Sequence, residues 1–197
     1  MTRNASLSRQ TGETKITLQL ALDGSGKGNI SSGNGFFDHM LELFAHHGRF
    51  DIDLHCDGDI NVDFHHSCED IGIVLGRAFS QALGDRAGIS RYGSTILPMD
   101  EALILSTTDI SGRGMLVYDL QIPAALIGSF DTELVKEFWL AFTREAGITM
   151  HIKQLAGENS HHIVEGVFKS VARSLAASVK IDENAQGRIP STKGTIL

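Results

Sequence analysis

His65-His66-Ser67-Cys68-Glu69 and His161-His162-Ile163-Val164-Glu165 are two copies of one pattern, His-His-x-x-Glu, whose starts lie 96 residues apart in a chain of 197. Each copy opens an apolar stripe at helical spacing. The first stripe is Ile71, Val74, Leu75, Ala78, Phe79 and Leu83, with Gly84 as a natural stop; the second is Val164, Val167, Phe168, Val171, Leu175 and Val179. Two alike helices half a chain apart point to a tandem duplication. The expected architecture is α+β: two α/β half-domains, sheets backed by helices, with pseudo-repeats over about 9–92 and 93–184 of a single 1–197 domain. A further histidine precedes each copy, His39 by 26 residues and His151 by 10.

Working outward, residues 15–22 alternate polar and apolar and read as a half-buried strand, followed by a Gly-rich turn over 23–28. A helix fits 36–47, with Phe37, Met40, Leu41 and Phe44 on one face. Residues 50–55 alternate again, and Asp57-Gly58-Asp59 reads as a hairpin turn into Ile60-Asn61-Val62-Asp63. Strand-like runs cover 102–109 and 114–121, a helix 132–146 and a strand 148–152. Residues 1–12 are polar, expected to be frayed or held by a neighbour, and from Ile181 the chain is a polar tail with Pro190 in a loop.

Hydrophobic residues make up 42% and charged residues 21%, a globular composition that argues against disorder. No apolar run approaches the ~18 residues of a membrane span, and no apolar signal core follows the polar start, so a cytoplasmic location is expected. The balance of 17 basic against 24 acidic residues opposes nucleic-acid binding, which gains affinity by neutralising phosphates. Cys56 and Cys68 are too few for a disulfide framework or a Cys-based zinc site.

The nine histidines carry the chemistry. On a helix, residues three or four apart share a face, whereas adjacent ones diverge. His65 and His66 each approach Glu69 but point apart, so two such helices suit two metal ions better than one. His39, His65, His66, His151, His161 and His162 divide with Glu69 and Glu165 into two sets of three imidazoles and one carboxylate. Four ligands leave positions open for water or substrate on an octahedral ion. Imidazoles suit zinc, iron or nickel and carboxylates admit manganese, so the donor set does not choose among them. His46, His47 and His55 read as ordinary surface or core residues.

Ser90-Arg91-Tyr92-Gly93, Ser111-Gly112-Arg113-Gly114 and Pro190-Ser191-Thr192-Lys193-Gly194 are candidate anion-binding segments: an arginine fork, a lysine charge, hydroxyls and approachable backbone N–H groups. No P-loop is present. Glu13, just before the first predicted strand, is a candidate mobile acid or base. Asp100-Glu101 is the kind of pair that orients a ligand histidine.

Taken together these stretches resemble imidazoleglycerol-phosphate dehydratases of histidine biosynthesis. The matching segments are Arg9-Gln10-Thr11-Gly12-Glu13-Thr14, Gly35-Phe36-Phe37-Asp38-His39-Met40-Leu41, His65 to Gly72, Arg91-Tyr92-Gly93, Pro98 to Ala102, Asp109 to Arg113, Ile148 to His151, Asn159 to Glu165 with Phe168-Lys169, and Pro190 to Gly194. The resemblance implies half-domains of the ribosomal protein S5 domain 2-like type and a homo-oligomer of twenty-four subunits with active sites between them. It implies two Mn²⁺ per site, held by His39, His65, His66, Glu69, His151, His161, His162 and Glu165. Arg91, Arg113, Lys169, Ser191, Thr192 and Lys193 would bind the substrate, a small phosphorylated imidazole, together with Glu13, His39, His65 and His161. Glu13, Glu69 and Glu165 would be catalytic, and water would leave through a dimanganese-bound imidazolate to give imidazole acetol phosphate. The chain departs from the family at Asn34, more often aliphatic, and at Cys68, which is expected to sit off the His65–Glu69 face. The competing readings are a dimetal hydrolase, which would consume water and form no ketone, and a non-catalytic metal-binding assembly protein.

Overall fold

A computed structural model describes residues 3–185 and 187–196. The first half runs β1 (Asn4–Gln10), β2 (Thr14–Ala21), β3 (Gly28–Ser31), α1 (Gly35–Gly48), β4 (Asp51–Gly58) and α2 (His65–Leu83). The second runs β5 (Tyr92–Met99), β6 (Ala102–Asp109), β7 (Met115–Asp119), the short pair β8 (Leu126–Ile127) and β9 (Phe130–Asp131), α3 (Leu134–Ala146), β10 (Thr149–Ala156) and α4 (Ser160–Val179). A 3₁₀ turn at Glu183–Ala185 begins the tail. The two four-stranded sheets have the orders β1-β2-β4-β3 and β5-β6-β10-β7, antiparallel except for one parallel pair at the same edge of each. Leaving out the β8–β9 pair, the order β-β-β-α-β-α is therefore written twice. No helix among the described residues is long and apolar enough to cross a membrane.

The helices lie between the sheets, α2 on β1 and β2, α4 on β5 and β6, and the halves exchange neighbours: α1 packs on α4 and α3 on α2. All four contribute to one aromatic core, with Phe37 and Phe44 from α1, Phe79 from α2, Phe138, Trp139 and Phe142 from α3, and Phe168 from α4, each fully buried. Phe138 meets Phe37 edge-on at 5.2 Å and Trp139 lies 5.0 Å from Phe168, spacings at which aromatic pairs add to area burial. The α2–α3 crossing depends on Gly72 and Gly76: a Cβ at either would come within 2.7 or 2.6 Å of the Phe138 or Phe142 carbonyl oxygen.

Asparagine side chains cap the starts of α1 and α4, while α2 and α3 open without a side-chain cap. Asn34 receives the Phe36 and Phe37 amides at 3.1 and 3.3 Å, opening α1, and Asn159 receives the His161 and His162 amides at 2.9 and 3.3 Å, opening α4. Such caps are each worth about 1 kcal/mol. Asn34 thereby starts the helix that carries His39.

Four expectations are corrected. The polar start is not frayed: residues 4–10 form β1, a strand missed because Ala5 and Leu7 are its only inward apolar side chains. Residues 60–63 do not form a hairpin strand; Val62 N–H donates to the Asp59 carbonyl in a turn, leaving Ile60 and Val62 exposed. β5, not expected from the sequence, begins at Tyr92 inside the candidate anion-binding segment Ser90–Gly93 and takes up its Tyr92-Gly93 end. Finally, His39 and His151 are not counterparts, for one lies on α1 and the other on β10. The residue in His151's place is His55 on β4, ten residues before its motif, flanked by Thr17 and Ser31 as His151 is by Thr107 and Val117.

Candidate functional site

The crossing of α1 on α4 sets His39 over the first turn of α4. Imidazole nitrogens of His39 and His161 and a Glu165 oxygen lie within 4.8 Å of one another. His161 Nε2 is 3.1 Å from Glu165 Oε2, the i to i+4 geometry expected of the motif. Phe36 packs edge-on against the His161 ring at 5.3 Å and fixes its plane. Glu165 is buried, which raises its pKa, but the Lys169 ammonium, ion-paired to Oε1, and His161 pull it net below the ordinary carboxylate value. Two imidazoles and an ionised carboxylate in one place are the donor set of an imidazole-rich metal site.

The second histidine of each pair is set in a matching way. His66 Nδ1 lies 3.0 Å from Asp59 Oδ2, and His162 Nδ1 lies 2.7 Å from Glu101 Oε2. A carboxylate on Nδ1 fixes ring and tautomer and presents Nε2 as the ligand atom. Asp100-Glu101 orients a histidine as the sequence suggests, whereas Asp59, read as a turn residue, was missed; a carboxylate seven residues before a histidine is too common a spacing to signal anything. Glu13, in the β1–β2 turn, and Asp100, in the β5–β6 turn, face the other nitrogens: Glu13 Oε1 is 3.7 Å from His66 Nε2, and Asp100 Oδ2 is 3.6 Å from His162 Nε2.

These contacts shift protons. Asp59 holds the His66 imidazolium above its ordinary pKa, and Glu101 does the same for His162, while Glu101 itself, bonded to His162 and to the Asn159 and Glu158 amides, falls to about 2. Glu101 therefore stays ionised through the working range. To ligate a metal these two imidazoles would have to be neutral, so an added ion would compete with their protons. Apparent Mn²⁺ affinity is expected to fall as pH drops toward and below 6.5, the ordinary imidazole value, with proton release per ion larger at pH 6 than at pH 8.5. Calorimetric titration in buffers of different ionisation enthalpy measures this, and an affinity flat across that range would contradict it.

The remaining predicted ligands do not join the trio within one chain. His65 opens α2 and lines a cavity of about 420 Å³ with Asn34, Asp63, Asp131 and Glu133. Glu69 lies 3.8 Å from Arg144 Nη2. His151 stands exposed on the outer face of the second sheet. His39, His161 and Glu165 are the one group of three potential ligands among the described residues. Cys68 is fully buried, its Sγ 3.6 Å from the Leu134 carbonyl oxygen, and burial raises its thiol pKa far above the ordinary value, so it lies off the ligand face.

The anion segments do converge. Arg91, Arg113, Ser191, Thr192 and Lys193 line one cavity of about 560 Å³ with Tyr92 and Ser111. Arg91, in the left-handed region at φ 72°, donates to Asp109 Oδ1 and to the Pro190 carbonyl, both at 2.8 Å, and so ties the tail to β6. Its fork is largely spent on those partners. Arg113 and Lys193 form no ion pair among the described residues and are the available cations of this cavity. Lys169 lies apart from it, on Glu165.

A family model described as imidazoleglycerol-phosphate dehydratase matches residues 32–175. The chain is 55% identical over 194 residues to the imidazoleglycerol-phosphate dehydratase of Methylorubrum extorquens, covering 98% of this chain and all of that one. It is 52% identical over 196 residues to that of Acetivibrio thermocellus, with full coverage of both. Among solved structures, imidazoleglycerol-phosphate dehydratase from Staphylococcus aureus superposes with a TM-score of 0.83 at 34% identity, over 91% of this chain and 99% of that one. The Pyrococcus furiosus enzyme in complex with (S)-C348 gives 0.83 at 38% identity, over 96% and 99%.

Proposed function

This chain belongs to the imidazoleglycerol-phosphate dehydratase family of hydro-lyases, and from that membership we propose that it removes water from D-erythro-imidazole glycerol phosphate to give imidazole acetol phosphate in the cytoplasm. The observation that carries the reading is a ligand trio, His39, His161 and Glu165, in the same chain as a cationic cavity lined by Arg113, Lys193, Ser191 and Thr192. A substrate with an azole at one end and a phosphate at the other needs both.

The residues fit a two-ion site of Mn²⁺. Six imidazoles and two carboxylates are available, and the rings of His66 and His162 are already turned with Nε2 outward. His39, His65, His66, His151, His161 and His162 with Glu69 and Glu165 would hold the ions, which supply Lewis acidity toward the imidazole of the substrate. Arg113, Lys193, Ser191 and Thr192 hold the phosphate and fix the glycerol chain, with Arg91 holding the tail that carries three of them. Lys169 keeps Glu165 ionised. The carbon next to the azole loses its hydroxyl with the C–O bonding pair. Glu13 takes the proton from the neighbouring side-chain carbon, a carbon no carbonyl activates, and passes it on so that hydroxyl and proton depart as water; the enol left behind becomes the ketone.

We place the site between subunits of a homo-oligomer, twenty-four in the expected shell. His151 stands in the middle of an outer sheet face whose apolar side chains, Tyr92, Ile96, Met115 and Val117, are 41–61% exposed. Its counterpart on the first sheet carries Asp51, Asp53, His55, Lys15, Thr17 and Gln19 instead. A second copy covering the apolar face would bury it and draw His151 into a shared site.

Proton NMR of the reaction decides the function: a ketone with retained phosphate ester supports dehydration, and released phosphate contradicts it. Lys193→Ala is expected to raise KM about 10–100-fold, the worth of a charged hydrogen bond, with kcat nearly unchanged. An unaltered KM would remove Lys193 from phosphate binding.

A further inference from the structure

We propose that Asp70 is the positioning residue for Glu13, holding the turn that carries it against the metal-ligand helix; this rests on the reading of Glu13 as the proton-transfer group. Asp70 follows Glu69 on α2 but turns inward and is buried. Its Oδ2 accepts from Thr14 Oγ1 at 2.5 Å and is ion-paired to Arg9 Nη1. Arg9 stands near the end of β1 and Thr14 at the start of β2, so one carboxylate oxygen ties both strands that flank Thr11-Gly12-Glu13 to α2.

The turn is rigid at its base and open at its tip. Thr11 Oγ1 accepts the Glu13 and Thr14 amides at 3.2 and 3.0 Å, and the Thr11 amide donates to the Thr14 carbonyl at 2.9 Å. A Cβ on Gly12 would meet nothing within 4 Å. The tip is therefore placed from its base, and Asp70 is the group that fixes the base relative to the ligands. From there Glu13 Oε1 reaches to 3.7 Å from His66 Nε2, and the Glu13 carbonyl accepts the amide of Asp59, which itself orients His66.

The second half supplies the contrast. The residue after Glu165 is Gly166, where a Cβ would come within 2.9 Å of Ile104 Cγ1. The β5–β6 hairpin is closed by two residues, Asp100 and Glu101, with Met99 paired to Ala102, and it needs no strut. The repeat thus folds without a carboxylate at this place. Asp70 is found only beneath the longer turn, the one that carries Glu13. Burying a carboxylate costs desolvation that a packing role does not call for, whereas misplacing a reacting group by about 1 Å costs about 100-fold in rate.

The test measures kcat, KM, bound Mn²⁺ and the melting temperature with imidazole glycerol phosphate as substrate. Asp70→Asn and Thr14→Val are expected to lower kcat about 10–100-fold, with KM and bound metal little changed. Thr14→Ser keeps the hydroxyl and is expected to restore the parent rate. In a Glu13→Gln background, Asp70→Asn should slow the enzyme no further. Parent kcat in both Asp70→Asn and Thr14→Val, or an equal loss with and without Glu13, overturns the proposal, and the Thr14 pair decides it if Asp70→Asn does not fold. A parent chain that fails to dehydrate this substrate overturns instead the functional reading beneath it.

Discussion

Replacing Glu13 by Gln is expected to lower kcat by about 10²–10⁴-fold, the range for loss of a positioned acid or base, while metal content and KM stay near the parent values. The amide keeps the size and polarity of the side chain and loses only the ability to take a proton. Glu13 lies at the tip of an exposed turn and caps no helix, so folding does not depend on it. The observed 3.7 Å to His66 places it at the edge of the ligand set without making it a ligand. A rate effect without a binding effect is the mark of a group that acts in the transition state. Steady-state kinetics with metal analysis of the same samples checks it, and an unchanged kcat would take Glu13 out of the mechanism.

Stripping the metal is expected to abolish dehydration, by about 10³-fold or more, the several kcal/mol that Lewis-acid stabilisation would supply. Without ions, nothing in the ligand set is acidic enough to withdraw charge from the azole of the substrate: His39 and His161 are imidazoles and Glu165 an anion held by Lys169. Mn²⁺ is expected to restore activity better than Mg²⁺, because Mg²⁺ favours all-oxygen surroundings and this site is rich in nitrogen. Dialysis against a chelator followed by titration with each ion makes the comparison. Activity that persists after complete chelation would remove metal from the reaction.

The sequence was most legible where one face of an element is buried. The stripes after His65 and His161 became α2 and α4, and the run 102–109 became β6 with its bounds unchanged, because alternation and helical spacing are imprinted by the core. β1 was hidden because Ala5 and Leu7 are its only inward apolar side chains, and β5 because Ile96 and Tyr92 point outward where a strand is usually polar. That same apolar outer face is what the proposed assembly would cover. Spacing brought out the ligand pairs but mispaired His39 with His151, since position along a repeat depends on which element a residue occupies. Contacts across the fold were beyond it. Asp59 on His66, and Asp70 joining Arg9 to Thr14, are long-range meetings that no local pattern encodes.

The central claim is that two ions share one site and receive the azole of the substrate. Diffraction from Mn²⁺-loaded crystals on both sides of the manganese absorption edge, with an azole-phosphate substrate analogue bound, tests it most directly. The account predicts two anomalous peaks per site among the eight ligands named, His39, His161 and Glu165 on the set, with the phosphate of the analogue at Arg113 and Lys193. A single peak, or two ions whose ligands leave the azole untouched, would contradict it.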